Sequence, residues 1–160
     1  MNALGKTRQS SGYNMTLGRL LEGLDVAAPH GLQVTDLVQD SRAATPGSVF
    51  LACPGRTTHG VTHAAAAVER GAVAVLWEPG AALEPPVLPE HIAAIAIPHL
   101  SRHVGELADR FFRSPSADLR VAGITGTNGK TTTAFLLAQA SDYLGRRGWY
   151  VGTLGHGHPG

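Results

Sequence analysis

The sequence predicts an α/β protein with a mostly parallel sheet, and three observations support this fold class. Short apolar runs alternate along the chain with segments whose apolar residues recur at helical spacing, which is typical of successive β–α–β units. A glycine-rich segment at residues 123–133 lies between an apolar run and a helical pattern. The 160 residues are 43% hydrophobic, which is enough to fill a core.

The first predicted block covers residues 16–114 and is expected to form a small α/β domain. Thr16 is a good helix N-cap, Pro46-Gly47 is typical of a turn, and Gly71 is a typical helix stop. In chain order, the block is predicted to contain a helix from Thr16 to Leu24, strands over 34–38 and 48–53, a helix over 64–70, and strands over 72–77 and 93–97.

A longer helix completes this block after a proline-rich loop at residues 79–89. One apolar face of the helix is formed by four residues at helical spacing, Leu100, Val104, Leu107 and Phe111. We assign this face to the core and not to a cofactor site. Ser114-Pro115 is expected to end the helix.

Residues 117–160 are predicted to open a second domain with one β–α–β unit. A strand over 119–124 leads into the glycine-rich segment, a helix over 131–144 stops at Gly145, and a second strand begins at Trp149. The helix is expected to turn four side chains toward a core, Phe135, Leu136, Leu137 and Ala138. Because a doubly wound domain needs several more strands, this domain is expected to be cut short.

The glycine-rich segment predicts a phosphate-binding loop. Gly126 and Gly129 can adopt backbone angles that bring N–H groups close to an anion, and the following helix offers its positive end. Lys130 is placed to reach the β- and γ-phosphates, and Thr131 has the hydroxyl with which such loops hold Mg²⁺. The expected ligand is a nucleoside triphosphate with its Mg²⁺. The predicted phosphate-binding positions are Gly126, Thr127, Asn128, Gly129, Lys130, Thr131 and Thr132.

The match to the general phosphate-loop pattern is partial, since Ile124 takes the place of its first glycine. The alternative interpretation is a glycine-rich turn that caps an ordinary helix. The order of strand, loop and helix favours phosphate binding.

The composition argues against several classes of protein. A formal net charge of +1, with 13 scattered basic residues, does not support nucleic-acid binding. The one cysteine, Cys53, excludes an internal disulfide and is expected to pack in a core, as are Trp77 and Trp149. The sequence predicts no membrane span, and the cytoplasm is the expected compartment. Residues 1–15 are polar and expected to be a disordered tail, with Met1 or Met15 as the start.

Two pairs of histidines have a spacing that metal sites also use. They are His59 with His63 and His156 with His158. We expect loop histidines and not a zinc site, because no cysteine or acidic residue lies near either pair in the sequence.

Several segments resemble the Mur ligases of peptidoglycan synthesis, and they follow one another in the order of that family. Residues 123–133, GITGTNGKTTT, and residues 151–157, VGTLGHG, resemble the entry of its ATP-binding domain. Upstream, residues 34–42, 46–55 and 71–76 resemble its uridine-nucleotide-binding domain. The resemblance is strongest to the family members that add the third amino acid of the peptidoglycan precursor.

The resemblance implies a ligase that uses ATP and Mg²⁺ to convert the carboxylate of UDP-N-acetylmuramoyl-L-alanyl-D-glutamate into an acyl phosphate. An amino group then attacks this acyl phosphate, and meso-diaminopimelate is expected as its source in preference to L-lysine. Lys130 is the implied catalytic residue and Thr131 the implied Mg²⁺ ligand. The family's later metal ligands, carbamylated lysine and adenine contacts would lie beyond Gly160, so we expect this chain alone to bind its ligands weakly and to catalyse nothing.

The resemblance also implies four positions that bind the sugar nucleotide, Gln39, Ser41, Arg56 and Thr57. Ser41 is expected to hydrogen-bond the uracil, and Arg56 to pair with the pyrophosphate. Nearby, Asp40 and Arg42 are expected either to form a local ion pair or to contact the ligand. Residues 58–63 depart from the family pattern, which leaves the detail of this loop open.

Two other functions remain open at this point. One is a non-catalytic nucleotide-binding module that keeps the uridine site and the phosphate loop. The other is a different ligase of the same superfamily, such as a folylpolyglutamate synthase, which shares the phosphate loop. The Asp-Ser-Arg segment at residues 40–42 and the Pro-Gly segments upstream argue against the second.

Overall fold

The structure is a computed structural model that describes residues 12–80, 83–153 and 155–159. It divides into two compact units, with the boundary between Ala117 and Asp118. Residues 1–11 of the predicted tail lie outside the described residues. None of the helices in the described part has the length and apolarity needed to cross a membrane.

Most strands of the first unit belong to one parallel sheet. Strands β1 (Met15–Thr16) and β2 (Gln33–Val34) form a separate antiparallel pair. The sheet contains four strands side by side in chain order, β3 (Asp36–Val38), β4 (Ser48–Ala52), β5 (Ala74–Trp77) and β6 (Ala93–Ala96). Every neighbouring pair in it is parallel. The predicted α/β class with a parallel sheet is therefore confirmed.

The strand predicted over residues 34–38 is divided in two at Thr35. The N–H of Thr35 donates to the carbonyl oxygen of Gly47 at 2.9 Å, and its hydroxyl donates to that of Pro46 at 3.1 Å. The predicted turn at Pro46-Gly47 is formed, and Gly47 has a φ of +87° that favours glycine. Because Thr35 is bound to this turn, β2 and β3 belong to different ladders.

Three helices accompany these strands, α1 (Leu17–Leu20), α2 (Ala64–Glu69) and α3 (Leu100–Phe112). The Thr16 cap is confirmed, since its hydroxyl oxygen accepts the N–H of Arg19 at 3.3 Å. However, α1 ends at Leu20 and does not reach Leu24. The reason is that the carbonyl oxygen of Leu20 accepts a hydrogen bond from the Arg110 guanidinium at 2.6 Å. The N–H of Leu24, which would bond to Leu20 in a continued helix, donates to the carbonyl oxygen of Leu21 at 3.0 Å instead.

Alternate residues of the sheet face two different cores. In β4, Val49 and Leu51 pack in a core with α1 and α3, whereas Phe50 and Ala52 pack in a core with α2. Side chains alternate along a strand, and a parallel sheet is covered on both faces, so its strands are apolar throughout. The core assignments of the α3 face and of Trp77 are confirmed. Trp77 is 6% exposed, Leu100, Leu107 and Phe111 are buried, and Val104 is partly buried.

The last residues of the predicted tail are ordered. Tyr13 packs against the rings of Phe111 and Phe112, with centroid distances of 6.4 and 5.6 Å. The guanidinium of Arg113 lies 5.8 Å from the centre of the Tyr13 ring. Met15 belongs to β1. The expectation of a disordered tail is therefore wrong for residues 12–15, because aromatic contacts bind them to the end of α3.

The second unit contains α4 (Lys130–Tyr143), β7 (Tyr150–Gly152) and β8 (Gly155–Gly157). The strand predicted over residues 119–124 is not formed, and no described segment pairs with it. A strand requires a partner for its backbone hydrogen bonds, and β7 pairs antiparallel with β8 instead. The predicted β–α–β unit is therefore wrong in the described residues.

The packing of α4 also differs from the prediction. Ala138 is buried, with Gly148 directly against its backbone, and Phe135 packs edge-on against Tyr150 at 5.6 Å. Three residues assigned to a core are exposed, Leu136, Leu137 and Trp149. Within the described part of this unit, β7 covers one side of α4, so the apolar residues on its other side lack the sheet that the prediction assumed.

Replacing Tyr13 tests whether the ordered start stabilises the first unit. We expect Tyr13→Ala to lower the free energy of unfolding by about 1–3 kcal/mol, because it removes contacts with two phenylalanine rings. Urea denaturation followed by circular dichroism measures this change. The matched control is Tyr143→Ala, since Tyr143 is 93% exposed, and its effect should stay within about 0.5 kcal/mol. Equal effects of both substitutions would contradict the prediction.

Candidate functional site

The residues predicted to bind the sugar nucleotide lie at one edge of the parallel sheet. Gln39 and Ser41 come directly after β3, and Arg56 and Thr57 come shortly after β4. Parallel strands point the same way, so their carboxyl ends meet at one edge, where open α/β sheets bind their ligands. The fold therefore brings both predicted pairs to the edge at which binding is expected.

A contact between side chains joins the ends of β3 and β4. The amide nitrogen Nε2 of Gln39 lies 4.0 Å from Sγ of Cys53. Cys53 is partly buried against the first core, so its predicted packing role is confirmed only at the core's margin. Burial raises the pKa of the Cys53 thiol, and the hydrogen bond from Gln39 offsets part of this shift. The raised pKa keeps the Cys53 thiol protonated at neutral pH.

The turn after β3 is built around an ion pair. Nη2 of Arg42 lies 2.7 Å from Oδ2 of Asp40, and the N–H of Arg42 donates to Oδ1 of Asp40 at 3.0 Å. The local ion pair, one of the two roles that the sequence left open for these residues, is thus formed. Ser41 is half-buried and begins a short 3-10 turn, Ser41–Ala43, which Asp40 caps.

The loop after β4 is closed on itself and exposes Arg56 and Thr57 at its tip. The N–H of Gly55 donates to the carbonyl oxygen of Thr58 at 3.0 Å, and that of Gly60 donates to Cys53 at 2.9 Å. At the root of the loop, Gly60 lies so close to Ala52 that an added Cβ would be 2.8 Å from its Cα. These contacts fix a short loop, with both predicted side chains directed away from the sheet's core.

A cavity of about 280 Å³ adjoins this edge. It lies beside Gln39 and Asp40, and its apolar lining includes Leu37, Leu51, Val104 and Phe112. A larger cavity of about 420 Å³, lined by Thr16, Arg19, Glu22 and His30 among others, contains none of the predicted site residues. The smaller cavity adjoins Gln39, which the sequence predicts independently as a site residue, so it is the better candidate for a binding site.

In the second unit, the glycine-rich segment leads directly into α4. Gly126 and Gly129 have φ values of +144° and +76°, and Gly129 is the N-cap of α4. Lys130 is exposed and its Nζ donates to the carbonyl oxygens of Gly126 and Thr127, the latter at 3.2 Å. The lysine ammonium is thus held against the loop that was predicted to bind phosphate.

The residues present at this loop fit a nucleotide phosphate with Mg²⁺. Both glycines have the positive φ that phosphate loops use. The N-cap of α4 is Gly129, which has no side chain to form a capping hydrogen bond at this helix N-terminus. Thr131 is the second residue of the helix and half-buried, whereas Thr127, Asn128 and Thr132 are exposed. The seven predicted phosphate positions therefore form one continuous loop and first helical turn.

The predicted loop histidines have contacts that the sequence did not indicate. Nδ1 of His59 accepts the N–H of Val61 at 3.1 Å. Nε2 of His158 lies 3.0 Å from Oδ2 of Asp142, so an acidic residue that is distant in the sequence lies near this pair in the fold. Asp142 lies in α4 and His158 follows β8, so the spacing in the sequence does not indicate this contact. No group of three potential metal ligands occurs in the described part of the chain.

Sequence reasoning missed two residues that shape the edge. Gly60 fixes the root of the Arg56–Thr57 loop, and Glu78, directly after β5, accepts the N–H of Ser101 at 2.7 Å. The signal for the first was a glycine in the loop segment that follows an apolar strand. No local pattern marks the second, because its partner lies in α3.

These features define a class, the α/β proteins with a parallel sheet and a separate glycine loop at the start of a helix. A family model described as "Mur ligase family, catalytic domain" matches residues 33–112. This chain belongs to the Mur ligase family.

Similar proteins support the assignment. Two curated relatives, from Xanthomonas oryzae pv. oryzae and Xanthomonas campestris pv. campestris, are 47% and 48% identical over 90% and 89% of this chain. A third, from Pseudomonas aeruginosa, is 44% identical over 83% of it. All three are named UDP-N-acetylmuramoyl-L-alanyl-D-glutamate–2,6-diaminopimelate ligase. The chain spans 27–28% of the length of these relatives.

A solved structure shows the same fold. It is UDP-N-acetylmuramoylalanyl-D-glutamyl-2,6-diaminopimelate–D-alanyl-D-alanyl ligase from Acinetobacter baumannii, with a TM-score of 0.57 and 22% identity. The match covers 82% of this chain and 28% of that one. At this identity the likeness concerns the fold alone.

The ion pair between Asp40 and Arg42 leads to a prediction about the pH at which Asp40 titrates. Hydrogen bonds from Arg42 lower the pKa of Asp40 from 3.8 to about 2. A carboxyl with a depressed pKa stabilises the fold above its unfolded pKa, and this contribution is lost as the pH falls through about 2. We expect carboxyl NMR to give a midpoint for Asp40 near 2, and Arg42→Ala to return it toward 3.8. A midpoint that Arg42→Ala leaves unchanged would contradict this assignment.

Proposed function

We propose that this chain provides the sugar-nucleotide site and the phosphate loop of a ligase in peptidoglycan precursor synthesis. The observation that carries the proposal is 47% identity, over 90% of the chain, to a ligase named for 2,6-diaminopimelate. The proposed substrate is UDP-N-acetylmuramoyl-L-alanyl-D-glutamate, and the proposed incoming amino acid is meso-diaminopimelate. Residues 16–114 hold the sugar nucleotide, and residues 117–160 open the ATP-binding domain. The cytoplasm remains the predicted compartment.

The proposed phosphate chemistry depends on the loop at the start of α4. ATP with Mg²⁺, when bound, supplies the phosphoryl group that activates the substrate carboxylate as an acyl phosphate. Lys130 contributes a positive charge to the β- and γ-phosphates, and the hydroxyl of Thr131 holds the metal. The N–H groups after Gly126 and Gly129 bind phosphate oxygens. Phosphoryl transfer depends mainly on such positioning and charge neutralisation.

The sugar nucleotide is proposed to bind at the carboxyl edge of the parallel sheet. Ser41 hydrogen-bonds the uracil, next to Gln39 and the cavity that adjoins it. Arg56 pairs with the pyrophosphate, because a guanidinium can bind two phosphate oxygens at once. Thr57 adds a hydroxyl at the tip of the same loop. The supporting observations are the shared edge, the exposed tip of the loop and the contact between Gln39 and Cys53.

Replacing Lys130 tests the phosphate loop. We expect Lys130→Ala to abolish detectable binding of Mg-ATP, because the alanine cannot neutralise phosphate charge. Its affinity for the UDP-linked substrate should be nearly unchanged, since that site lies in the other unit. Isothermal titration calorimetry with each ligand measures both affinities.

The matched control for this experiment is Arg146→Ala, which removes an exposed positive charge just after α4. It should bind Mg-ATP like the wild type. If Lys130→Ala lost the binding of both ligands, the two sites would not be separate. If Lys130→Ala and Arg146→Ala lost Mg-ATP binding equally, the effect would come from the change in net charge and not from the position of Lys130.

A titration distinguishes the proposed function from a folate-dependent ligase. We expect UDP-N-acetylmuramoyl-L-alanyl-D-glutamate to shift the backbone NMR signals of Ser41, Arg56 and Thr57, because it occupies their edge of the sheet. The signal of Glu90, which lies on an exposed loop, serves as an internal control. A folate should leave all four signals in place. Shifts near Ser41 with the folate alone would contradict the proposal.

A further inference from the structure

Glu78 connects three elements at the carboxyl edge of the sheet. It is the residue directly after β5, and its N–H donates to the carbonyl oxygen of Ala52 at 3.2 Å. Its Oε2 accepts the N–H of Ser101, in the first turn of α3, at 2.7 Å. One residue therefore joins the end of β4, the end of β5 and the start of α3.

The side chain of Glu78 caps the N-terminus of α3, because it accepts the N–H of Ser101. The N-cap residue itself, His99, has a φ of +57° and makes no capping hydrogen bond with its side chain. An acceptor with negative charge near a helix N-terminus is favourable, and here it comes from a neighbouring strand. Burial raises the pKa of Glu78, but hydrogen bonds from Ser101 and the nearby His99 and His59 lower it overall. Glu78 is therefore ionised at neutral pH.

The backbone contact of Glu78 lies at the root of the Arg56–Thr57 loop. Ala52 is the last residue of β4, and the loop begins at the next residue, Cys53. The N–H of Gly60 donates to the carbonyl oxygen of Cys53, so the closed loop is held at its root and its position follows that of Ala52. The orientation of its tip is then set by what holds Ala52 and its neighbours.

We propose that Glu78 is a positioning residue of the sugar-nucleotide site, which fixes the Arg56–Thr57 loop by tying its root to the start of α3. This inference rests on the proposed function, because it assumes that the loop contacts the diphosphate of the ligand. Glu78 does not touch the ligand itself. It acts through Arg56, so the effect of replacing Glu78 should depend on whether Arg56 is present.

The test measures the affinity of the full chain for UDP by calorimetry, together with melting temperatures. We expect Glu78→Ala to weaken UDP binding by at most about tenfold, because the effect on affinity is limited by the hydrogen bond to Ser101 that is lost, and one hydrogen bond to a charged group corresponds to about one order of magnitude in an equilibrium constant. Glu78→Gln keeps an acceptor oxygen for Ser101 and should lose less, about threefold. The matched control Glu90→Ala, at an exposed loop position, should bind UDP like the wild type.

A double-mutant comparison separates positioning from a merely structural role. If Glu78 acts through Arg56, adding Glu78→Ala to Arg56→Ala should weaken binding less than twofold further. A full tenfold loss in that background would overturn the proposal, and so would an unchanged affinity in Glu78→Ala. If Glu78→Ala does not fold, Glu78→Gln decides in the same way, with an unchanged affinity overturning the proposal. If the wild-type chain does not bind UDP, the proposed function itself fails, which is a distinct outcome.

Discussion

The parallel pairing of β4 with β3 on one side and β5 on the other is the constraint on which the first unit depends. Parallel neighbours cannot be joined by a tight hairpin, so each connection must cross from one end of the sheet to the other. The crossing segments cover the faces, and they bury Val49 and Leu51 on one side and Phe50 and Ala52 on the other. The same pairing directs every carboxyl end to a single edge.

This geometry explains how residues far apart in the chain form one edge. Gln39 contacts Cys53, and Glu78 contacts both Ala52 and Ser101. Each of these contacts joins the end of one strand to the next element of the sheet or to a helix on its face. The Arg56–Thr57 loop is held between such contacts, so its conformation depends on the ladder below it as much as on its own sequence.

The sequence predicted those parts of the fold that have a local cause. Thr16 caps a helix, Gly47 makes a turn, and the apolar run before Trp77 forms a buried strand. It was wrong for residues 119–124, which form no strand, and for Leu136 and Leu137, which are exposed. An apolar run becomes a strand only when another segment pairs with it, and apolar periodicity contains no information about that partner. The failures are therefore failures of pairing, not of propensity.

The same distinction applies to the candidate site. The proposed phosphate loop could be predicted because its glycines, lysine and threonine are close together in the sequence and lie at the start of one helix. Glu78 is a single carboxylate after a strand, and its role depends on Ser101, which is 23 residues away. Residues that bind a ligand at the edge of a parallel sheet come from several short loops, so each loop contributes too few residues to form a motif. A residue that positions one of those loops leaves even less trace in the sequence, and only the packing of α3 against the sheet shows its role.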